Sequence, residues 1–313
     1  MSETSPDAAS PGLASPRVLV SVLMFNNSED TIETISCLRS QTFSGFDLQV
    51  IDNASTNGCA QRVLARFPGL KVVRLSANLG YAGGNNVALE AGCKDGYDYV
   101  VICNHDIALA PDFLSTFLAT ARTRPSAALL GAVETDYATG AIRAAAGKGF
   151  DALSGCGRWT REVPKDAGPA PEVDYVQGAL VLFSRKALLA GLRLDEKLFM
   201  YCEEIALFLS LRRLGLKACL AVDCRVRHKA SHERFSPLQG YLIQRNRVYL
   251  CREYGSRLLY PLMLLSVALI ELPIKIILRS LQGHPRFALA CILGFADGVS
   301  GRMGPGRAAA LLS

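Results

Sequence analysis

Over its first two thirds the chain alternates short apolar runs with polar turns and helical spacings. Arg17-Val18-Leu19-Val20-Ser21-Val22-Leu23-Met24-Phe25 is almost continuously apolar and ends at Asn26-Asn27-Ser28. A run of this length bounded by turn formers predicts a strand buried on both faces of a parallel sheet. From Glu29 to Ser40, Ile32, Ile35 and Leu38 recur at helical spacing, with Asn27 or Ser28 as the N-cap. Leu48-Gln49-Val50-Ile51 predicts a second strand, closed by Asp52-Asn53-Ala54-Ser55-Thr56-Asn57-Gly58, and residues 61–67 a second helix. Residues 70–75 predict a third strand, which leads through residues 78–86 into a helix reaching Ala91. Tyr99-Val100-Val101-Ile102-Cys103 predicts a fourth strand and runs straight into Asn104-His105-Asp106. This alternation is the signature of an α/β fold, a mainly parallel sheet flanked by helices.

The pattern then loosens. Residues 126–133 predict another strand, and residues 134–172, with Gly, Pro and the sole tryptophan, Trp159, predict a loop that shapes a substrate pocket. Residues 173–183 read as a strand pair or bend around Gly178. Phe199-Met200-Tyr201-Cys202-Glu203-Glu204 precedes a helix over 205–214, which Gly215 stops in a left-handed conformation. Residues 217–222 predict a last strand, followed by Arg227-His228-Lys229-Ala230-Ser231-His232.

From Pro237 onward the spacing is helical. Residues 258–270 form an apolar run interrupted only by Ser266, and Glu271, Pro273 and Lys275 are expected to break it before Ile276-Ile277-Leu278. A membrane-spanning helix needs ~20 mostly apolar residues. This run reaches that length only by including Glu271 and Lys275, so a helix lying on or re-entering the membrane is expected. A helix buried on the α/β domain is the alternative. Residues 1–16 are rich in Ser, Pro and Ala, without the basic and apolar regions of a signal peptide, and predict a disordered tail. The expected organisation is a tail (1–16), an α/β domain (17–236) and a helical, membrane-associating region (237–313).

Composition adds three constraints. The 313 residues are 50% hydrophobic and 20% charged, which fits a large core and excludes a disordered chain. The ten cysteines form no C-x-x-C and no Cys/His cluster at zinc spacing, which predicts reduced, mostly buried thiols of a cytosolic protein. The net charge of +6 is uneven: residues 225–313 hold 13 Lys/Arg against 4 Asp/Glu, and residues 1–224 hold 21 against 24. The basic part also carries the longest apolar run, which points to an anionic membrane surface. Interleaved aromatics and glycines of a nucleic-acid binder are missing, so no nucleic-acid partner is expected.

Candidate chemistry sits where open α/β sheets bind ligands, beyond the carboxyl ends of the strands. Asp52 there can accept hydrogen bonds from a base or ribose edge, or close a plain Asp-Asn turn. Residues 78–86 do not make the G-x-G-x-x-G dinucleotide fingerprint. Gly80, Gly83 and Gly84 permit close backbone approach and the helix start favours an anion, with Asn85 and Asn86 able to read a nucleotide or sugar; a tight turn is the alternative. Asp106 is a hard oxygen ligand suited to Mg2+ or Mn2+, or else a turn residue before Pro111. His228 completes that sphere if the last strand lies beside the fourth; otherwise it is a structural histidine next to Lys229. Glu203 and Glu204 at a helix start suit the helix dipole, and also suit a general base held above the sheet.

Five of these segments occur in one order: Val20–Asn26, Ile51–Gly58, Asn78–Asn86, Asn104-His105-Asp106 and Phe199–Glu204. Together they resemble the family-two inverting glycosyltransferases of GT-A fold, most closely the bacterial rhamnosyltransferase branch, over roughly residues 17–232. The resemblance implies transfer of a sugar, rhamnose among the candidates, from a nucleoside diphosphate donor to a glycan or lipid-linked acceptor on the inner face of the cell membrane. It implies Asn26, Asp52, Asn78, Gly80, Asn85 and Asn104 as donor-binding residues, with Asp52 at the base. Asp106 and His228 would hold Mg2+ or Mn2+, and Glu204, beside Glu203, would be the catalytic base. Three positions depart from the pattern: Glu204 replaces an Asp, Ala206 stands where a second Asp is common, and His105 replaces Pro. A relative that kept the donor pocket and lost its base is the alternative. A nucleotidyltransferase fits less well, because Asn26-Asn27-Ser28 lacks the Gly-rich basic signature expected there. The helical tail has a dimer interface as its alternative role.

Overall fold

In the computed structural model, which describes residues 15–164, 168–229 and 235–312, the apolar runs become one ten-stranded sheet. Its first half holds β1 (Val18–Met24), α1 (Ser28–Arg39), β2 (Phe46–Asp52), α2 (Cys59–Arg66), β3 (Lys71–Arg74), α3 (Gly80–Lys94), β4 (Tyr99–Asn104), the short β5 (Ile107–Ala108) and α4 (Phe113–Arg122). Then follow β6 (Leu129–Asp136), β7 (Ile142–Ala144), β8 (Ala146–Asp151), β9 (Cys156–Thr160), β10 (Glu172–Val173), β11 (Leu180–Ser184), α5 (Arg185–Leu189), α6 (Glu203–Leu214) and β12 (Ala218–His228). The helical region comprises α7 (Pro237–Tyr254), α8 (Tyr260–Ser266), α9 (Leu272–Leu281), α10 (Pro285–Ser300) and α11 (Ala308–Leu312). The expected disordered tail falls almost wholly outside the described residues.

The strand order is β10-β12-β6-β11-β4-β1-β2-β3. β3, β2, β1 and β4 are parallel, β6 and β12 are parallel, and β11 runs antiparallel between the two groups. Both faces of β1 are covered, as its continuous apolar run requires. Val18, Val20, Val22 and Met24 pack with Ile35, Leu38, Phe113 and Phe117 on one side. Leu19 and Leu23 pack with Leu89, Val100, Leu188 and Leu207 on the other. Each such side chain, fully buried, contributes about 1.5–3 kcal/mol. All ten cysteines are free thiols, six of them buried.

Register makes the carboxyl ends level. Met24 lies opposite Asp52, and Leu23 opposite Asn104. The three polar segments that follow β1, β2 and β4 therefore open on one edge of the sheet.

Three expectations need correction. The last strand does not lie beside the fourth; β6 and β11 separate them. β12 instead runs beyond residue 222, through a bulge between Ala221 and Arg225, and its end pairs with β5 so that His228 faces Ile107. Next, residues 134–172 are not a loose loop: β8 and β9 form a hairpin. Its strands carry Gly, Lys and Arg rather than alternating apolar residues, and a Cβ on Gly147 would come within 1.7 Å of the Tyr175 ring and one on Gly157 within 1.9 Å of its hydroxyl. The hairpin is organised around that ring, not around a hydrophobic face of its own.

Thirdly, Glu271, Pro273 and Lys275 do not break the apolar run. Residues Tyr260–Leu281 form one continuous helix, long and apolar enough to cross a membrane, with only 17% of its most apolar 18 residues buried. A π-helical turn, Val267–Glu271, precedes Pro273. Proline cannot bond to the carbonyl four residues back, and the widened turn accommodates that lost bond. The charges are neutralised locally: Arg247 on α7 donates to both Glu271 carboxylate oxygens at 2.8 and 3.0 Å, and Lys275 Nζ donates to Glu271 Oε1 at 2.5 Å. Burial alone would raise the Glu271 carboxyl, but Arg247 and then Lys275 hold it down at about 2.

α10 lies close on α7 because of Gly294 and Gly298, where a Cβ would meet Tyr241 O at 2.2 Å and Arg245 O at 2.9 Å. The helical region is thus built outward from α7, which itself packs Tyr249 and Leu250 with Ile205, Ala206 and Phe208 of α6.

Candidate active site

Each polar segment at the carboxyl edge is fixed by its own hydrogen bonds. Asp52 is fully buried; Ser55 N–H donates to its Oδ1 at 2.9 Å. Its Oδ2 lies 3.2 Å from Arg74 Nε, yet out of line for a hydrogen bond, so that oxygen is left without a donor. Asn26, in a left-handed conformation at φ 53°, ties the same turn: its N–H donates to Ser55 Oγ and its Oδ1 accepts from Thr56 N–H, both at 2.9 Å. Asn78 Oδ1 accepts from Asn53 Nδ2 at 2.9 Å and Gly80 N–H at 2.8 Å. The helix α3 begins at Gly80 itself, so the glycine-rich segment is its first turns and not a loop before it. Gly80 has φ +72°, and a Cβ there would lie 2.1 Å from Phe199 O. No other residue type allows this approach of the 198–202 segment.

Asn85 is 1% exposed and its side-chain amide donates to Tyr81 O within α3 at 3.0 Å. It does not line the cleft. Asn78, Gly80, Asn104, His105 and Asp106 do, around a cavity of about 240 Å³. Asn104, Asp106, Glu134, His228, Glu203 and Glu204 line an adjoining one of about 540 Å³.

Between them sits a chain of charge. His228 Nε2 is 3.1 Å from Asp106 Oδ1, and His228 Nδ1 is 3.1 Å from Glu134 Oε1. Burial alone would lower the His228 pKa, but hydrogen bonds to Asp106 and Glu134 carry it up to about 9. Burial would raise the Asp106 carboxyl, and His228 brings it below the ordinary value. Glu134 was not expected from sequence, because it closes an apolar run on β6. The register supplies it: Glu134 is opposite Val226, two residues before His228 and so on the same face. Asn104 Nδ2 completes the group, 3.4 Å from His228 Nε2.

The Asp106 carboxylate and the Asn104 amide oxygen are hard donors of the kind Mg2+ or Mn2+ accepts, with substrate phosphates filling the remaining positions, and His228 can join them only after giving up the proton it shares with Asp106 and Glu134. Among the described residues, no three His, Cys, Asp or Glu side chains form a closed metal cage. The residues therefore fit an ion shared with a ligand rather than a resident structural metal.

Glu203 and Glu204 open α6 after a strained approach. Phe199, Tyr201 and Cys202 have φ of 65°, 70° and 70°, each costing about 1–3 kcal/mol for a non-glycine residue. Two side chains of α7 hold the segment. Asn246 Nδ2 donates to Leu198 O, Met200 O and Tyr201 O at 3.1, 2.9 and 2.8 Å. Arg245, wholly buried, donates to Leu198 O at 2.8 Å and Gly304 O at 2.6 Å. These residues gave no sequence signal beyond two polar positions in a helical stretch. Glu204 faces the cleft, with Gly178 against its Oε1: a Cβ there would lie 3.0 Å away. Burial raises its pKa, opposed by backbone N–H groups of Glu204 and Gly178. Glu203 is buried, its Oε1 lacks a donor, and burial followed by the charge of Glu204 raises it too. Ala206 is packed in the core beneath them. His105 Nδ1 lies 3.2 Å from Leu23 O, which fixes its ring against β1.

A mainly parallel sheet whose polar strand ends open on one edge beside a carboxylate pair has the architecture of a GT-A-type fold, and comparison with known proteins agrees. The sequence profile of glycosyl transferase family 2 matches residues 20–188, and the chain belongs to that family. N-acetylglucosaminyl-diphospho-decaprenol L-rhamnosyltransferase of Mycobacterium tuberculosis is 27% identical over 202 residues, 58% of this chain and 66% of that relative. The chain therefore spans just under two thirds of the relative's length. Solved structures of similar fold include GalNAc-T7 with UDP, GalNAc and Mn2+ (TM-score 0.60, 13% identity, 76% of this chain and 49% of that one). The mannosyltransferase PcManGT of Pyrobaculum calidifontis with GDP-Man and Mn2+ (0.54, 14%, 92% and 88%) and S. aureus TarS 1-349 with UDP-GlcNAc (0.55, 18%, 94% and 83%) share it over nearly the whole chain.

Asn246→Ala removes the donor to three carbonyls and should destabilise the fold by about 1–3 kcal/mol, read as a lower denaturation midpoint, while Asn246→Asp keeps the size but not the donor and should be as damaging. A midpoint unchanged in both variants would contradict this account of the strained segment.

Proposed function

We propose that this chain is an inverting glycosyltransferase that moves a sugar, rhamnose among the candidates, from a nucleoside diphosphate sugar to a lipid-linked or cell-surface glycan. The observation that carries the reading is the meeting of two half-sites in one cleft, Asp106 and His228 with Glu204. The donor nucleotide would lie along Asn26, Asp52, Asn78, Gly80 and Asn104, with Asp52 Oδ2, ion-paired with Arg74 but without a hydrogen-bond donor, reached by an N–H of the base after a small adjustment of the turn. Asn85 would act at one remove, by fixing the first turns of α3.

In the reaction, Glu204 takes the proton of an acceptor hydroxyl. The freed oxygen attacks the anomeric carbon as the bond to the diphosphate oxygen breaks on the opposite side, and the configuration inverts. Asp106 and His228 would hold Mg2+ or Mn2+, which when bound supplies charge stabilisation to the diphosphate leaving group. Burial raises Glu204 and the charge of Glu134 raises it further, while the charge of Glu204 in turn raises the buried Glu203, because like charges disfavour a second ionisation. A base of raised pKa is better matched to work near neutrality.

The exposed apolar helix supports attachment to a lipid surface. Leu262, Leu265, Leu269, Ile274, Ile277 and Leu281 are each more than half exposed. The Arg247–Glu271 ion pair and the hydrogen bond from Lys275 Nζ to Gln244 Oε1 tie the middle of that helix to α7, which favours a helix lying in the interface over one crossing it. We place the enzyme peripherally on the inner face of the cell membrane, with the basic residues of the helical region facing anionic lipid.

Glu204→Gln should lower kcat by about 100-fold or more and leave donor binding intact. The acid limb of the wild-type kcat/KM profile should lie above the ordinary carboxylate range, since the base must be deprotonated and its pKa is raised. Unchanged turnover in Glu204→Gln would remove it as the base. For the lipid surface, Leu269→Asp with Ile277→Asp should stop co-sedimentation with phosphatidylglycerol vesicles. These changes spare α10, which truncation would strip from α7. Continued sedimentation of the double variant at high salt would exclude the helix as the anchor.

A further inference from the structure

Trp159 is the sole tryptophan of the chain, and it stays 42% exposed while lining the same cleft as Glu204. Leaving so large an apolar surface in water forgoes its burial energy. The side chain is nonetheless held firmly. Its ring stands edge-on to Tyr175, with centroids 5.0 Å apart and planes at 85°. Tyr175 is 2% exposed, seated in the space that Gly147 and Gly157 leave open, and its hydroxyl donates to Arg158 O at 3.1 Å. On its other side Tyr175 meets Phe208 at 5.7 Å. Phe208 is on α6, four residues after Glu204 and so on the same face of the helix. A stack of three aromatic rings therefore fixes the indole relative to the carboxylate that opens α6.

Position within the cleft decides what the indole would meet. The cavity around Asn78, Gly80, Asn104 and Asp106 does not include Trp159. The larger one does: it shares Asn104 and Asp106 with the smaller, and adds Glu204, Gln177 and, from α7, Gln239 and Ile243. α7 also packs on the exposed apolar helix, sharing a core of Val248, Cys251, Met263 and Val267 with it. A substrate approaching from the lipid side along α7 would thus reach Trp159 and Glu204 together.

We propose that Trp159 forms an acceptor subsite, on which the terminal sugar ring of a lipid-linked acceptor stacks its C–H face against the indole. The two amide side chains nearby, Gln177 and Gln239, offer hydrogen bonds to that ring's hydroxyls. This rests on the transfer reading given above. Trp159 is here a binding residue that orients the attacking hydroxyl toward Glu204, and it has no part in proton transfer.

Because no other indole is present, tryptophan emission reports this site alone. The probes are a short-chain N-acetylglucosaminyl diphospho-lipid, UDP alone and dTDP alone, with donor binding followed in parallel by calorimetry. The acceptor probe should quench or shift the emission, and the nucleotides should change it little. Trp159→Ala should raise the acceptor KM about 10-fold or more while donor KM stays within about twofold, and Trp159→Phe should recover most of the loss. A silent indole with the acceptor probe, a full change with nucleotide alone, or an unaltered acceptor KM in Trp159→Ala would each overturn the assignment. Donor binding with a silent indole would defeat this inference alone; the absence of any nucleotide-sugar binding would defeat the transfer reading itself.

Discussion

The grip of Asn246 and Arg245 on the carbonyls of residues 198–201 is the constraint on which the site depends. Three non-glycine residues in left-handed conformations would relax if those carbonyls lost their donors. Relaxation would withdraw Glu203 and Glu204 from the cleft, because both follow directly at the start of α6. It would also free Gly80, whose left-handed turn and missing Cβ exist to let Phe199 O come close. One helix outside the α/β sheet therefore sets the geometry of a carboxylate pair above it, and α10, crossing α7 at Gly294 and Gly298, braces that helix from behind.

The other half-site obeys a different logic. Asp106, His228 and Glu134 come from three separate elements and are joined by charge. β12 reaches Asp106 through β5, so the long last strand closes the sheet's edge around the cleft instead of lying in its centre. Lys229, the next residue, donates to Asp30 and Glu33 of α1 at 2.6 Å, which pins the end of β12 to the first helix. Different elements thus support the two groups of charges, α7 behind Glu203 and Glu204, α1 and β6 behind Asp106 and His228.

The fold was legible wherever burial on both faces wrote a continuous apolar run, as in Val18–Met24 and Tyr99–Cys103. The strand-end residues Asn26, Asp52, Asn104 and Asp106 followed from the same runs, since a polar turn after a buried strand marks the carboxyl edge. Other features left weaker traces. Glu134 is hidden at the end of a strand, and its role depends on a register that no local pattern encodes. The β8–β9 hairpin has no apolar face because the Tyr175 ring supplies its core. Arg245 and Asn246 are two polar residues in a helix until the carbonyls they meet are known. The helix through Pro273 was obscured by charges that look like breakers in one dimension and are paired in three.

The central claim is that one cleft holds a donor half and a separate base. Calorimetric titration of Mn2+ with a panel of nucleoside diphosphates into wild type, Asp106→Ala and Glu204→Gln tests it most directly. The account predicts that wild type and Glu204→Gln bind the same nucleotide alike and that Asp106→Ala loses that binding. Binding of no nucleoside diphosphate by the wild type, or equal binding by Asp106→Ala, would contradict it.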